Sequence, residues 1–327
     1  MDLRFRPSGA RAKIIHQRMN RELAASIKHL IEQVGVNDAR LQTKLNLLID
    51  LLQAGKKLHP GLFASYYRVV VDILSGTQDQ HQIFENLLRF AQVIDCFEII
   101  DLSVQSLGND AIVHLYVGAL DTDERLSFEF LPPELNESTQ SRASITRALE
   151  LMQKVAPDVF AEFEQLIHQV ILASGSRSPT AAQFDGASSY MLWGALALSV
   201  NQSKTDLEML QALAHEAAHS VLFGLTIDEL LVNNPEDDLF LSPLRDDARP
   251  MDGVYHATFV SARMYYAINS AKDSGILSKT ELAECDQLLI RSRQAFLDGL
   301  GVVESKGDLS HTGKSIMDDT KNYMASA

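Results

Sequence analysis

Two histidines and a glutamate in one short stretch, His215-Glu216-Ala-Ala-His219, have the residue types and the spacing of a metal site. Histidines four residues apart lie on one face of an α-helix, where both imidazoles can bind one ion with the glutamate beside them. The flanking residues are Leu, Ala and Val rather than charged residues, and buried imidazoles in such surroundings need partners. The stretch therefore predicts a metal centre, whereas the plainer interpretation is an amphipathic helix with two solvated histidines.

The helix that must carry these histidines has recognisable ends. Thr205 and Glu208 have the pattern of a capping box, Gly224 is a stop signal, and apolar residues recur between them at three- and four-residue steps. Residues 170–174 and 191–200 are predicted strands. Two strands followed by an HExxH helix is the order found in zincin-like catalytic domains, so we expect such a domain here.

A third donor is needed, because two histidines do not complete a metal site. The compact extension that supplies a glycine and a third histidine is missing, since leucines occupy those positions. Glu229 and Glu236 fall in an acidic, loop-like stretch over residues 228–252 rather than at helical spacing. His256, near the start of the next long predicted helix, is the best candidate, because the preceding loop can return it to the motif histidines.

Three neutral imidazoles suit zinc, iron or copper, so the ligand type does not choose the metal. Zinc hydrolysis needs three ligands, one water and a general base, which Glu216 could be. An oxygenase needs octahedral iron, a bidentate 2-oxoacid, dioxygen and a cation for the far carboxylate of that co-substrate. Arg245, Arg249 and Arg263 are candidates, because arginine binds carboxylates bidentately. Salt bridges to acidic neighbours are the competing interpretation.

The order of these motifs resembles the α-ketoglutarate-dependent HExxH-type peptide β-hydroxylases, a family that modifies ribosomally made peptides. The similarity rests on the HExxH motif, the segment Ser242-Pro-Leu-Arg-Asp-Asp-Ala-Arg-Pro250, and Gly253-Val-Tyr-His256. It covers roughly residues 170 to 270. Two positions depart from the family pattern, since Leu244 replaces a tryptophan and Ala248 replaces a proline.

This resemblance implies Fe(II), 2-oxoglutarate and O2, with His215, His219 and His256 binding the iron and Arg249 and Arg245 contacting the co-substrate. The implied reaction is hydroxylation of a β-carbon in a side chain of a ribosomally synthesised peptide, and such a precursor can carry a leader. The helical N-terminal module, with its Arg-rich start, could hold such a precursor peptide.

Two other functions stay open at this point. In a zinc metallopeptidase, Glu216 would be the general base; in the hydroxylase it would orient a ligand or a bound water. A metal-free binding module that keeps the same fold is the third interpretation.

The rest of the chain predicts an α+β protein that is mainly helical. Residues 10–93 carry four amphipathic stripes, and β-rich runs follow from residue 97 to 131, which predict a small antiparallel or mixed sheet. We therefore expect three parts: a helical N-terminal module (1–93), a zincin-like HExxH domain (94–303) and a polar C-terminal tail (304–327).

Composition excludes several classes of protein. The net charge of -14 argues against nucleic-acid binding, because phosphate neutralisation needs an excess of Lys and Arg. No apolar run approaches about twenty residues, the length that crosses a membrane. The two cysteines are too few for a disulfide framework or a thiolate zinc site, which favours a cytoplasmic location.

Overall fold

The computed structural model describes residues 2–76, 80–122, 128–176 and 183–327, and these form a mainly helical α+β fold with small sheets. The helices are α1 (Gly9–Val34), α2 (Ala39–Gln53), α3 (Gly61–Ser75), α4 (Gln80–Leu88), α5 (Val104–Leu107), α6 (Asp110–Leu120), α7 (Leu135–Val155), α8 (Pro157–Leu166), α9 (Asp206–Leu225), α10 (Met251–Asp273), α11 (Lys279–Lys306) and α12 (His311–Ser326). The strands are β1 (Glu98–Asp101), β2 (Gln169–Ala173), β3 (Gly186–Ser188), β4 (Ala195–Ser199), β5 (Leu239–Ser242) and β6 (Arg245–Pro250). No described helix is both long enough and apolar enough to cross a membrane.

The chain divides into two compact units, each built from segments that are distant in sequence. The first unit contains Met1–Ala12, Ala143–Glu164 and Lys204–Ala327, and the second contains Lys13–Arg142 and Gln165–Ser203. These units do not follow the boundaries expected at residues 93 and 303. The expected boundaries assumed that each domain is one continuous stretch of sequence. In the structure each unit is instead formed by segments that are far apart in sequence.

The second unit holds a four-stranded sheet in the order β1-β2-β4-β3. β1, β2 and β4 are parallel, and β3 is antiparallel to β4. Every residue of β2 and β4 is buried, as expected for uninterrupted apolar runs in parallel strands. The sheet is therefore mixed, one of the two arrangements that the sequence predicts.

The small sheet predicted over residues 97–131 is wrong in its middle run, and its first run, β1, pairs in parallel with β2. Residues 111–117 belong to α6, which Asn109 caps by accepting a hydrogen bond from the Ile112 amide. Tyr116, Ala119 and Leu120 bury one face of this helix, so the apolar run has helical spacing. Part of the third run lies outside the described residues, and Leu131 makes only an isolated bridge to Ser174.

In the first unit, α9 begins as the sequence predicts and ends later. The Thr205 side chain accepts from the Glu208 amide, and the Glu208 carboxylate accepts from the Thr205 amide, which completes the capping box. The helix continues through Gly224 to Leu225, because Thr226 rather than the glycine forms its C-terminal cap.

The acidic stretch expected as a loop contains the β5–β6 hairpin, and the expected polar tail contains α12. The hairpin leads directly into α10, since β6 ends at Pro250 and α10 begins at Met251. α12 buries Ile316, Met317 and Met324 and is therefore part of the core.

Candidate metal centre

α9 places the two motif histidines one turn apart with their nitrogens close together. The Nε2 atoms of His215 and His219 are 3.2 Å apart, and the Glu216 carboxylate lies 3.7 Å from His215 Nε2. One donor atom from each of these three residues lies within 4.8 Å of the others, and no other such group occurs among the described residues. The predicted HExxH cluster is therefore assembled by α9 alone.

The third predicted ligand, His256, lies against His219. Their Nδ1 atoms are 3.0 Å apart and their rings are stacked, with centroids 5.3 Å apart and planes 17° apart. The early part of α10 positions this ring, and His256 Nε2 lies 3.9 Å from Asp252 Oδ1 one turn earlier. His256 is therefore brought to the HExxH helix, as the sequence predicts, but the connection contains the β5–β6 hairpin rather than only a loop.

The three imidazoles meet along the His219 ring and not at a single point. His215 lies at Nε2 of His219, whereas His256 lies at its Nδ1. For one ion to take a nitrogen from each residue, the ring of His256 or His219 has to rotate. The role of His256 as a ligand stays a prediction.

The residues present suit a divalent metal ion. Metal–nitrogen bonds of about 2.0–2.1 Å place two nitrogens on one ion about 2.8–3.4 Å apart, for angles between square and tetrahedral. The separation of 3.2 Å between the Nε2 atoms lies inside this interval. His215 and His219 therefore need no rearrangement of the helix to share an ion.

Burial favours the neutral form of the His219 and His256 imidazoles. It lowers the pKa of His219, and the neighbouring His215 and His256 lower it further. Burial also lowers the pKa of His256, against the opposing effect of the Asp252 carboxylate. Neutral imidazole is the form that binds metals, so this environment suits a ligand set.

Two residues that the sequence did not single out complete the surroundings. The ring of Phe223 stacks on that of His219 with centroids 6.2 Å apart, and its centroid lies 5.3 Å from that of the His256 ring. The Met264 sulfur is 3.2 Å from His215 Nδ1, and as a weak acceptor it favours a proton there, which leaves the Nε2 lone pair towards His219. Phe223 follows His219 by one helical turn, so its spacing was a usable signal, while Met264 offered none.

Arg245 and Arg249, the expected co-substrate contacts, lie on β6 on either side of Asp247. Arg245 Nε donates to one Asp247 oxygen at 2.8 Å and Arg249 Nη1 donates to the other at 3.2 Å. Partial burial acts to raise the pKa of Asp247, but hydrogen bonds and charge from both arginines outweigh it and lower that pKa. The salt bridges that were the competing interpretation therefore exist, and a co-substrate carboxylate would have to replace Asp247.

Arg263, the third expected contact, lies in a buried ion cluster. Its Nη1 donates to Glu162 Oε1 at 2.6 Å, and Arg11 Nη2 donates to the other Glu162 oxygen at 2.8 Å. The guanidinium carbon lies 5.2 Å from the ring centroids of both Phe5 and Phe259. Glu162 is 101 residues away in sequence, so no local pattern pointed to this partner.

No protein-family model matches this chain, and a search of the curated proteins finds no match to it. The arrangement itself offers two nitrogen donors and one oxygen donor on α9, a third imidazole on α10 and an aromatic wall. Such a set can bind a divalent ion and keep one side of it dry.

Proposed function

We propose that this protein is an Fe(II)- and 2-oxoglutarate-dependent oxygenase that hydroxylates a β-carbon in a side chain of a ribosomally synthesised peptide. The observation that carries the proposal is the contact between His256 and His219. His256 lies on α10, the helix that directly follows the strand bearing Arg245 and Arg249. One continuous segment, from β6 into α10, therefore carries both the third imidazole and two arginines of the type that binds carboxylates.

In this proposal each residue has a defined task. His215, His219 and His256 would hold the iron, which when bound supplies oxygen activation coupled to decarboxylation of 2-oxoglutarate. Arg249 and Arg245 would bind the far carboxylate of the co-substrate in place of Asp247. Phe223 would exclude water from one side of the imidazoles.

Glu216 has a supporting task in the oxygenase. Its carboxylate lies near His215 Nε2, where it can orient a ligand or a bound water. We further propose that α9 belongs to a zincin-like catalytic domain. The support for this is the order of β4, the capped turn at Thr205 and the HExxH helix, and it rests on sequence order alone.

A zinc metallopeptidase is the second candidate, and one observation favours it. The Glu216 carboxylate is part of the compact donor group with His215 and His219, the position of a general base beside a metal-bound water. In that function the arginines would have no co-substrate to bind.

Succinate release separates these two functions. Purified protein loaded anaerobically with Fe(II) should release succinate from 2-oxoglutarate when air is admitted, and Arg249→Gln should reduce the rate more than tenfold, or about 1.4 kcal/mol. Arg147→Gln, which changes an exposed arginine paired with Asp206, is the matched control. Peptide cleavage by the zinc-loaded protein that Glu216→Gln abolishes, with no succinate from the iron form, would refute the oxygenase.

A further inference from the structure

The β5–β6 hairpin bulges where its two arginines lie. Arg245 and Arg249 each pair with a residue of β5, but a single β5 residue separates their partners, whereas residues 246–248 separate the arginines themselves. Such a bulge disrupts the ladder of main-chain hydrogen bonds locally and redirects the side chains of the extra residues. Asp247, the middle residue of the three, therefore lies where strand pairing holds the chain less firmly.

The Asp247 carboxylate is shared between the two arginines. Arg245 Nε donates to Oδ1 at 2.8 Å and Arg249 Nη1 donates to Oδ2 at 3.2 Å. The side chains of Arg245, Asp247 and Arg249 are 32%, 34% and 22% exposed, so a solute can reach them. Ion pairs this open to solvent are weak. A ligand carboxylate that meets both guanidiniums can therefore displace Asp247 and form the same two contacts.

Arg249 also lies against the first turn of α10. A Cβ atom on Gly253 would lie 3.4 Å from Arg249 Cβ and 3.7 Å from Arg249 Nε, so this side chain runs over a helix position that has no side chain of its own. His256 follows Gly253 by three residues, and residues at this spacing share one face of a helix. An anion held by Arg249 is therefore held beside the face of α10 that carries His256.

We infer that Asp247 is an internal competitor of the co-substrate, whose carboxylate occupies the arginine pair until the far carboxylate of 2-oxoglutarate replaces it. The inference rests on the proposed function, because it takes Arg245 and Arg249 to be the co-substrate contacts. A ligand that must displace an internal group binds more weakly, in proportion to the fraction of molecules in which that group has already moved away. Asp247 thus sets the concentration of 2-oxoglutarate at which the site fills.

The test is calorimetric titration of 2-oxoglutarate into the full chain loaded with Zn(II), which is not redox-active and so permits no turnover. Asp247→Asn removes the competing charge and should tighten binding about tenfold. Asp247→Ala should do the same, so the result does not depend on one replacement. Asp238→Asn, at an exposed aspartate just before β5, makes the same change of charge and should alter the affinity less than about twofold.

Two further measurements separate local competition from a general effect of charge. The first uses 2-oxobutyrate, which has no second carboxylate to compete with Asp247 and should bind the unchanged chain and Asp247→Asn equally within about twofold. The second repeats the 2-oxoglutarate titration in an Arg249→Gln background. There Asp247→Asn should lose most of its effect, because the two side chains act through one shared contact.

Several results would overturn the competitor. These are an unchanged affinity for 2-oxoglutarate in both Asp247 variants when circular dichroism shows them folded, equal tightening for 2-oxobutyrate, a full effect in the Arg249→Gln background, or no saturable binding of 2-oxoglutarate. Succinate release by the iron form beside unchanged affinity in the variants rejects the competitor alone. Tighter binding in the variants without succinate release rejects the oxygenase alone.

Discussion

At the scale of single residues, the stacked pair of His219 and His256 decides how many imidazoles the site offers. The two Nδ1 atoms are 3.0 Å apart, His256 is buried and His219 is partly buried, and burial lowers the pKa of both rings. A site that depends on His256 must lose affinity when that ring is removed, whereas a site made by α9 alone retains two histidines and Glu216.

We therefore expect His256→Ala to lower bound iron from about one equivalent to less than about a tenth. His29→Ala, which removes an exposed histidine of α1, should bind as much iron as the unchanged chain. Metal content after anaerobic loading and desalting, read with circular dichroism to confirm folding, measures the difference. Full iron occupancy in a folded His256→Ala protein would remove His256 from the ligand set.

A second pair of buried histidines, in the second unit, is expected to make the protein less stable in acid. His16 and His168 are buried with ring centroids 5.0 Å apart, and Trp193 donates to His16 Nδ1 at 3.4 Å. Burial lowers the pKa of His16 from 6.5 to about 4 and also lowers the pKa of His168. Between those values the unfolded chain binds protons that the folded chain excludes, so stability is present above pH 6.5 and falls as the pH drops towards about 4.

The lowered pKa of His16 alone corresponds to a loss of unfolding free energy of up to about 3 kcal/mol between neutral pH and about pH 4. We expect His16→Gln, which can still accept from Trp193, to reduce the loss of urea stability between about pH 7 and about pH 5. His29→Gln should leave the slope unchanged. An equally steep slope in His16→Gln would show that other groups cause the acid sensitivity.

At the scale of elements, α12 supports the start of α10. The hydroxyl of Tyr255, the residue just before His256, donates to the Gly313 carbonyl at 2.8 Å. A methyl group on Gly313 would overlap the Leu231 carbonyl, so α12 begins in close contact with the segment that follows α9. The residues expected as a polar tail therefore help to position the candidate metal centre.

Removing residues 308–327 should consequently destabilise the protein by more than about 4 kcal/mol, because Ile316, Met317 and Met324 lose their burial. Tyr255→Phe removes only the hydrogen bond and should cost about 1–2 kcal/mol, since the Gly313 carbonyl loses its partner. Urea denaturation measures both, and removing Ser326 and Ala327 alone is the control, because both residues are exposed. A truncated protein as stable as the full chain would contradict the role of α12.

The elements that the sequence predicts well are those with local signals. The capping box at Thr205, the four-residue spacing of the motif histidines and the uninterrupted apolar run of β2 each depend on neighbours within a few residues. Residues 111–117 were wrongly predicted as a strand because Ile112, Val113 and Val117 are β-branched and favour strands. The Asn109 cap and the burial of Tyr116 are instead features of a helix. α12 was missed because its composition is polar and its apolar side chains are few.

At the scale of the whole molecule, the first unit depends on contacts between segments far apart in sequence, and no sequence pattern predicts these. Arg11, Glu162 and Arg263 come from α1, α8 and α10 and form one buried cluster with a single carboxylate between two guanidiniums. Burial acts to raise the pKa of Glu162, but the two arginines outweigh it and lower that pKa, so the carboxylate stays charged. Nε and Nη2 of Arg263 have no hydrogen-bond partner among the described residues. The charge of Glu162 is therefore the main interaction that offsets burial of this guanidinium.

Glu162→Gln should therefore destabilise the first unit by about 3–5 kcal/mol, because it leaves two buried cations without an anion. Glu150→Gln on α7, an exposed position of the same unit, should change stability by less than about 0.5 kcal/mol. Urea denaturation followed by circular dichroism measures both variants. Adding Arg11→Met to Glu162→Gln removes one of the two cations and should recover part of the loss. If Glu162→Gln alone were as stable as the unchanged chain, the buried cluster would not hold these three segments together.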